Sequence, residues 1–134
     1  MPLRVGDCFW RQFPGDHDPR LWIIVTSPCL GYEPDTVTVS VTGKKSTSDL
    51  TCCLRVGDHP GLTKDSVISY YHSALRPSSQ IETAVAAKVL LLAERVNKEI
   101  ILRIQAGMLS ADTPKPVQTF YTIAVEQGCH EYEE

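Results

Sequence analysis

Phe13-Pro-Gly-Asp-His-Asp-Pro-Arg20, Leu21-Trp-Ile-Ile-Val-Thr26 and Thr36-Val-Thr-Val-Ser-Val-Thr-Gly-Lys-Lys45 together decide the fold of this chain. The first is a loop of turn formers and ionisable groups. The second is a continuous apolar, β-branched run, too short for a helix and long enough for a buried strand. The third alternates, with Val37, Val39 and Val41 on one face and Thr38, Ser40 and Thr42 on the other, as a half-buried strand does. Two such strands side by side bring His17, Asp18 and Arg20 toward Thr42, Lys44 and Lys45. A hydroxyl, cations and a possible base in one place are the parts of a phosphate site.

Outward from this stretch, short strand-like runs recur. Cys8-Phe-Trp10 follows the turn Gly6-Asp7, Leu50 to Val56 forms a further run, and Asp65-Ser-Val-Ile-Ser-Tyr-Tyr-His72 another. The pentapeptide Leu3-Arg-Val-Gly-Asp7 returns as Leu54-Arg-Val-Gly-Asp58 and reads as one strand-to-turn solution used twice. After residue 76 the pattern changes. Ser79 and Glu82 form a capping box, and Ile81, Val85, Val89, Leu92 and Val96 repeat at helical spacing, with Asn97 as the stop. Glu99 to Ile104 reads equally as strand or helix. Thr113-Pro114 starts a last helix whose stripe is Val117, Phe120, Tyr121 and Ala124. The acidic tail, Cys129 to Glu134, reads as frayed.

The 134 residues fit one domain: a barrel over about 3–76, a helical insertion over about 78–97 and a final helix over about 113–127. The class is α+β, mainly β. Hydrophobic content of 43% and charged content of 22% are those of a folded chain. No apolar run approaches the roughly 20 residues of a bilayer span, and Met1 to Asp7 lacks a signal peptide's apolar stretch. A soluble, cytoplasmic protein is expected, with no membrane partner. Its five cysteines, an odd number without a Cys-x-x-Cys pair, suit reduced thiols rather than disulfides or zinc. A net charge of −3 argues against a broadly basic nucleic-acid coat and permits a local basic cleft. No helix carries the clustered cations of a DNA-recognition helix.

Six short motifs, in order, resemble the PemK/MazF family of toxin endoribonucleases. They are Val5-Gly-Asp7; Pro14-Gly-Asp-His-Asp18 with Arg20; Leu21 to Ser27; Val39 to Thr42; Gly61-Leu-Thr-Lys-Asp-Ser-Val67; and Gly107-Met-Leu-Ser110. The chain departs from the family pattern at Leu21, at Gly43, at Tyr71-His72 and in the longer stretch from His72 to Gly107. The resemblance implies a small SH3-like β-barrel of five to six strands with two helices in the C-terminal half. It further implies a homodimer with a small antitoxin partner, cutting single-stranded RNA without metal or other cofactor.

In that chemistry the substrate's 2′-hydroxyl attacks the adjacent phosphorus and leaves a cyclic phosphate. Proton transfer and charge stabilisation fall to the protein. The resemblance gives Arg20 and Thr42 the oxygen-binding roles. His17 or Asp18 is the candidate base, and His72 the candidate acid, since histidine titrates near neutrality. Lys44 and Lys45 would hold flanking phosphates, and Tyr70, Tyr71 and Trp22 would stack bases. Each has an ordinary alternative. Arg20, His17, Lys44 and Lys45 suit solvated loops, Thr42 a turn, Trp22 and the tyrosines the core, and His59 a turn beside Pro60. The rival reading is a non-catalytic binding module on the same barrel.

Overall fold

In the computed structural model, residues 2–11, 20–45 and 48–134 are described. His17 and Asp18 lie outside them. The six strands are β1 (Cys8–Arg11), β2 (Arg20–Ile24), β3 (Thr36–Gly43), β4 (Cys53–Leu54), β5 (Ser66–Arg76) and β6 (Leu90–Ala93). They form one antiparallel sheet in the order β4-β5-β3-β2-β1-β6. No ladder joins β4 to β6 among the described residues, so the arrangement is an open sheet. Three helices accompany it, α1 (Ser78–Ala86), α2 (Lys98–Gly107) and α3 (Lys115–Glu126), one more than the sequence suggests. No helix among the described residues is long and apolar enough to cross a membrane.

Strand alternation sorts the core into two layers. Leu21, Ile23 and Val25 with Val37, Val39, Val41, Ile68 and Tyr70 face α2 and α3. Phe9, Trp22 and Ile24 face the other way, under Ile81 of α1 and beside Leu90. Burying such side chains contributes about 1.5–3 kcal/mol each. The repeated pentapeptide makes the same turn twice. The Asp7 amide donates to the Arg4 carbonyl and the Asp58 amide to that of Arg55, both at 3.0 Å. Each aspartate carboxylate accepts from the arginine amide at 2.8 Å. Gly6 (φ 93°) and Gly57 (φ 101°) occupy the left-handed position that this turn requires.

The long helix expected over 79–97 is instead a nine-residue helix and an edge strand. Lys88 adopts φ 61°, and the amides of Lys88 and Val89 return to the carbonyls of Val85 and Ala84 at 3.0 and 2.9 Å. That is a Schellman stop without its usual glycine. Leu90 to Ala93 then pair with β1, which a helix could not do. Asn97 starts α2 rather than ending α1: its side-chain oxygen accepts from the Ile100 amide at 2.9 Å. Residues 99–104 are thereby helical. The expected strand over 50–56 shrinks to Cys53 and Leu54.

The capping box is not formed either. The carboxylate of Asp35, 43 residues away, takes the Ser78 amide at 2.7 Å and the Ser78 hydroxyl at 2.6 Å. Asp35→Ala is therefore expected to cost about 1–2 kcal/mol in urea unfolding, and Asp35→Asn less. A change in Asp35→Ala below about 0.3 kcal/mol would remove the cap from this account.

The acidic tail is docked, not frayed. Gln105 Nε2 donates to the His130 carbonyl at 2.7 Å, and the Tyr132 hydroxyl donates to the Val96 carbonyl at 2.7 Å. The Tyr132 ring carries the Arg95 guanidinium 3.9 Å above it.

All the cysteines are free; Cys8, Cys29 and Cys52 are buried. Burial pushes the Cys8 thiol up to about 12. A raised acid pKa contributes stability that is present below the unfolded thiol value and lost as pH climbs toward the folded one. Cys8→Ala should accordingly flatten the fall of stability between pH 9 and 11. For Cys8 alone that fall is on the order of 1 kcal/mol by pH 10. Identical alkaline limbs in the two proteins would show that Cys8 does not contribute.

Candidate functional site

The register of β1 on β2 sets Arg11 directly across from Arg20, and Phe9 across from Trp22. All four side chains share the sheet face that α1 covers only in part. Like charges opposed across a ladder repel, so the pair raises the positive potential at the uncovered end of this face. Arg76, at the far end of β5, reaches the same place. Its Nε donates to Thr38 Oγ1 at 3.1 Å, and its guanidinium lies 3.9 Å from the Trp22 ring centroid. Arg11 lies 4.5 Å from that centroid. Burial, and then the nearby Arg11, push the Arg76 pKa down. A guanidinium nevertheless stays charged at neutral pH.

β5 is longer than the strand that it pairs with, and the excess is gathered in one place. Thr38 pairs with Ala74 and Ser40 with Ser69, so Tyr70-Tyr-His-Ser73 stands opposite Val39 alone. This bulge is closed internally. Ser73 Oγ donates to the Tyr70 carbonyl at 2.7 Å, and Ser69 Oγ lies 2.7 Å from His72 Nδ1. Bulges re-aim side chains. Here the bulge brings His72 to the cavity with its Nδ1 engaged, which leaves Nε2 for a ligand.

The resulting cavity has a volume of about 300 Å³. Arg11, Arg20 and Arg76 line it with Trp22, Thr38, Val39, Ser40 and His72. Three guanidiniums, a histidine and two hydroxyls face one space, and no carboxylate is among the described residues that line it. The arrangement suits an anion with several acceptor oxygens.

The sequence-derived candidates separate as follows. Arg20 and His72 line the cavity together. Thr42 is half-buried and pairs with Val67. It follows Ser40 on the same face, roughly 7 Å farther along the strand, and is not part of the lining. Lys44 and Lys45 are exposed beyond it. Tyr71 is exposed, its ring edge-on to His72 at 5.2 Å. Tyr70 offers no face to a base: it is fully buried, and its hydroxyl donates to the Ile104 carbonyl at 2.7 Å. Trp22 is buried at 8% exposure and stacks with guanidiniums. His59 is held in a turn, with Nε2 2.6 Å from the Glu94 carbonyl and Nδ1 accepting from Gly61. Arg11, Arg76, Thr38 and Ser40 were not singled out by the sequence. Only the register of β1, β3 and β5 gathers them.

No protein-family profile, curated protein or solved structure matches this chain. The likeness to PemK/MazF toxins therefore rests on the six short motifs.

Proposed function

We propose that this chain is a divergent PemK/MazF-type endoribonuclease whose sheet belongs to an SH3-like barrel, and that it cuts single-stranded RNA in the arginine-lined cavity without metal. The observation that carries this reading is the meeting of Arg20 and His72, from distant strands, in one cavity with two hydroxyls. Arg20, with Arg11 and Arg76, neutralises the phosphate and the charge that builds on its oxygens as the 2′-hydroxyl attacks. His72 gives a proton to the leaving 5′-oxygen through Nε2. Thr38 and Ser40 take the hydrogen-bonding place that the resemblance gives to Thr42. The base is His17 or Asp18, which lie between β1 and β2 in the sequence. Lys44, Lys45 and Tyr71 contact flanking nucleotides. A cytoplasmic homodimer held in check by a small antitoxin completes the proposal.

A non-catalytic binding module on the same barrel is the second reading. Its support is the lining itself: among the described residues it holds one histidine, His72, and no carboxylate to act with it.

Mixed-sequence RNA incubated in EDTA tests the two. Cleavage that leaves 2′,3′-cyclic phosphate ends, and that is abolished by 2′-deoxy substitution, is the expected result. A folded protein that binds RNA without cutting it would transfer the conclusion to the binding module.

A further inference from the structure

The five cysteines differ in what surrounds them. Cys8 is enclosed, and its thiol donates to the Gly6 carbonyl at 3.3 Å. Cys52 and Cys53 are adjacent, and Cα atoms only about 3.8 Å apart are closer than a disulfide takes without strain. Cys29 and Cys129 are distant in sequence and meet in the fold. The Cys29 thiol, in the loop between β2 and β3, is 1% exposed and has the Cys129 thiol as its hydrogen-bonding neighbour. Cys129, just after α3, packs against the same core and is half-buried. Both backbones are fixed. The Ser27 amide and hydroxyl donate to the Cys129 carbonyl at 2.8 and 3.1 Å, and the Cys29 amide donates to that of Asp35 at 2.8 Å. Gln105 Nε2 bridges the same two segments, donating to the Val25 and His130 carbonyls at 3.2 and 2.7 Å. Passing from this contact to an S–S bond of about 2.05 Å then asks only for side-chain rotation and a small shift.

We infer that Cys29 and Cys129 form an oxidative modification site, whose substrate is a hydroperoxide and whose product is a disulfide fastening the residues after α3 to the β2–β3 loop. This site stands apart from the RNA reading. Cys129, the more exposed thiol, reacts first. Its thiolate attacks one oxygen of hydrogen peroxide; the O–O bond breaks, an S–O bond forms, and hydroxide leaves and takes up a proton. The Cys29 sulfur then attacks the sulfenic sulfur. An S–S bond forms as the S–O bond breaks, and the hydroxyl leaves as water with the Cys29 proton. Two thiols have given up two electrons, and the peroxide has become two waters. Burial, and then Cys129 beside it, push the Cys29 thiol up to about 12. Cys29 therefore stays protonated and shielded until a sulfenic acid is held next to it.

The test treats the reduced full chain with a small excess of hydrogen peroxide, blocks the remaining thiols with a maleimide after unfolding, and maps peptides without reduction. One intramolecular crosslink between Cys29 and Cys129 is expected, with an intact mass about 2 Da lower before blocking. Cys8, Cys52 and Cys53 should be recovered as maleimide adducts, and dithiothreitol should reverse the crosslink. Oxidation should raise Tm by at least about 5 °C, because the bond closes a loop of most of the chain. Cys129→Ser should leave Cys29 unoxidised. Cys29→Ser should leave Cys129 as a sulfenic acid that dimedone traps.

Five maleimide adducts in treated wild type, a crosslink to a different cysteine or to a second chain, or Cys129 carried to the sulfinic acid would overturn the site. A Cys29–Cys129 bond that leaves Tm unchanged would overturn the fastening. If Cys29→Ser does not fold, wild type and Cys129→Ser decide: Cys29 oxidised in Cys129→Ser as fast as in wild type overturns the pairing.

Discussion

Gly107→Ala is expected to destabilise the protein by about 2–4 kcal/mol, or roughly 6–15 °C in Tm, although alanine is the better helix former. Gly107 is the last residue of α2 and is buried. Replacing glycine within a helix ordinarily stabilises by up to about 1 kcal/mol. Here a Cβ would overlap the Tyr70 hydroxyl, approach its Cζ to 2.6 Å and come within 2.9 Å of Thr51 Cγ2. The Tyr70 ring cannot yield cheaply. It is fully buried, and its hydroxyl is tied to Ile104. Displacing it overpacks the core and breaks a buried hydrogen bond, two costs that together exceed the helical gain.

The same substitution should reach the cavity, because Tyr70 is the first residue of the bulge that presents His72. A Gly107→Ala protein still folded at 20 °C is therefore expected to bind RNA more weakly as well as melt earlier. Tyr70→Phe is the comparison, since it loses the bond without adding volume and should cost about 1 kcal/mol. A Gly107→Ala protein as stable as wild type would show that α2 and β5 can separate without penalty.

Strands were legible wherever side-chain alternation or β-branching ran unbroken. Thr36 to Thr42 became β3, and Leu21 to Ile24 lie in β2, because one face of each has to be buried whatever the remainder of the chain does. The turn repeated at Gly6 and Gly57 was legible because left-handed backbone leaves a glycine in the sequence. Residues 79–97 were misread for a related reason. Val85, Val89 and Val96 keep a helical period across a break marked only by Lys88, and a lysine in left-handed conformation gives no warning. Leu90-Leu-Leu-Ala93 fits strand and helix equally by period, and pairing with β1 decides. The tail was misread because its anchors lie far away in sequence, Val96 for the Tyr132 hydroxyl and Gln105 for the His130 carbonyl.

The site divides along the same line. Arg20 and His72 were visible as polar residues at strand ends and turns. Arg11 and Arg76 were not, since each is one arginine at the end of a strand. Their meaning arises when register sets Arg11 beside Arg20 and the β5 bulge shifts Arg76 toward Trp22. Tyr70 shows the converse. Its aromatic character suggested stacking, whereas its place one residue before the exposed Tyr71 made it the anchor of the bulge.

His72→Ala and Arg20→Ala are expected to lower RNA cleavage by about 10²–10³-fold and about 10³-fold, and to differ in a diagnostic way. Protonation of the leaving 5′-oxygen is demanding for a ribose alkoxide and unnecessary for a 4-nitrophenolate. On a nucleoside 3′-(4-nitrophenyl phosphate), with the 2′-hydroxyl intact, His72→Ala should therefore lose less than about tenfold. Arg20→Ala should lose its full factor on both substrates, because negative charge develops on the phosphoryl oxygens in either case. Arg20→Lys should recover only a minor part, as an ammonium lacks the fork that spans two oxygens. The double variant should be little worse than Arg20→Ala, since groups acting on one transition state are not additive. Equal losses for His72→Ala on the two substrates would remove the acid role and leave His72 as the base or as a substrate-positioning group. The engaged Nδ1, held at 2.7 Å by Ser69, gives one further distinction. Ser69→Ala should reproduce a fraction of the His72→Ala loss on RNA and almost none on the nitrophenyl substrate, because it removes the bond that orients the proton donor and leaves the donor in place.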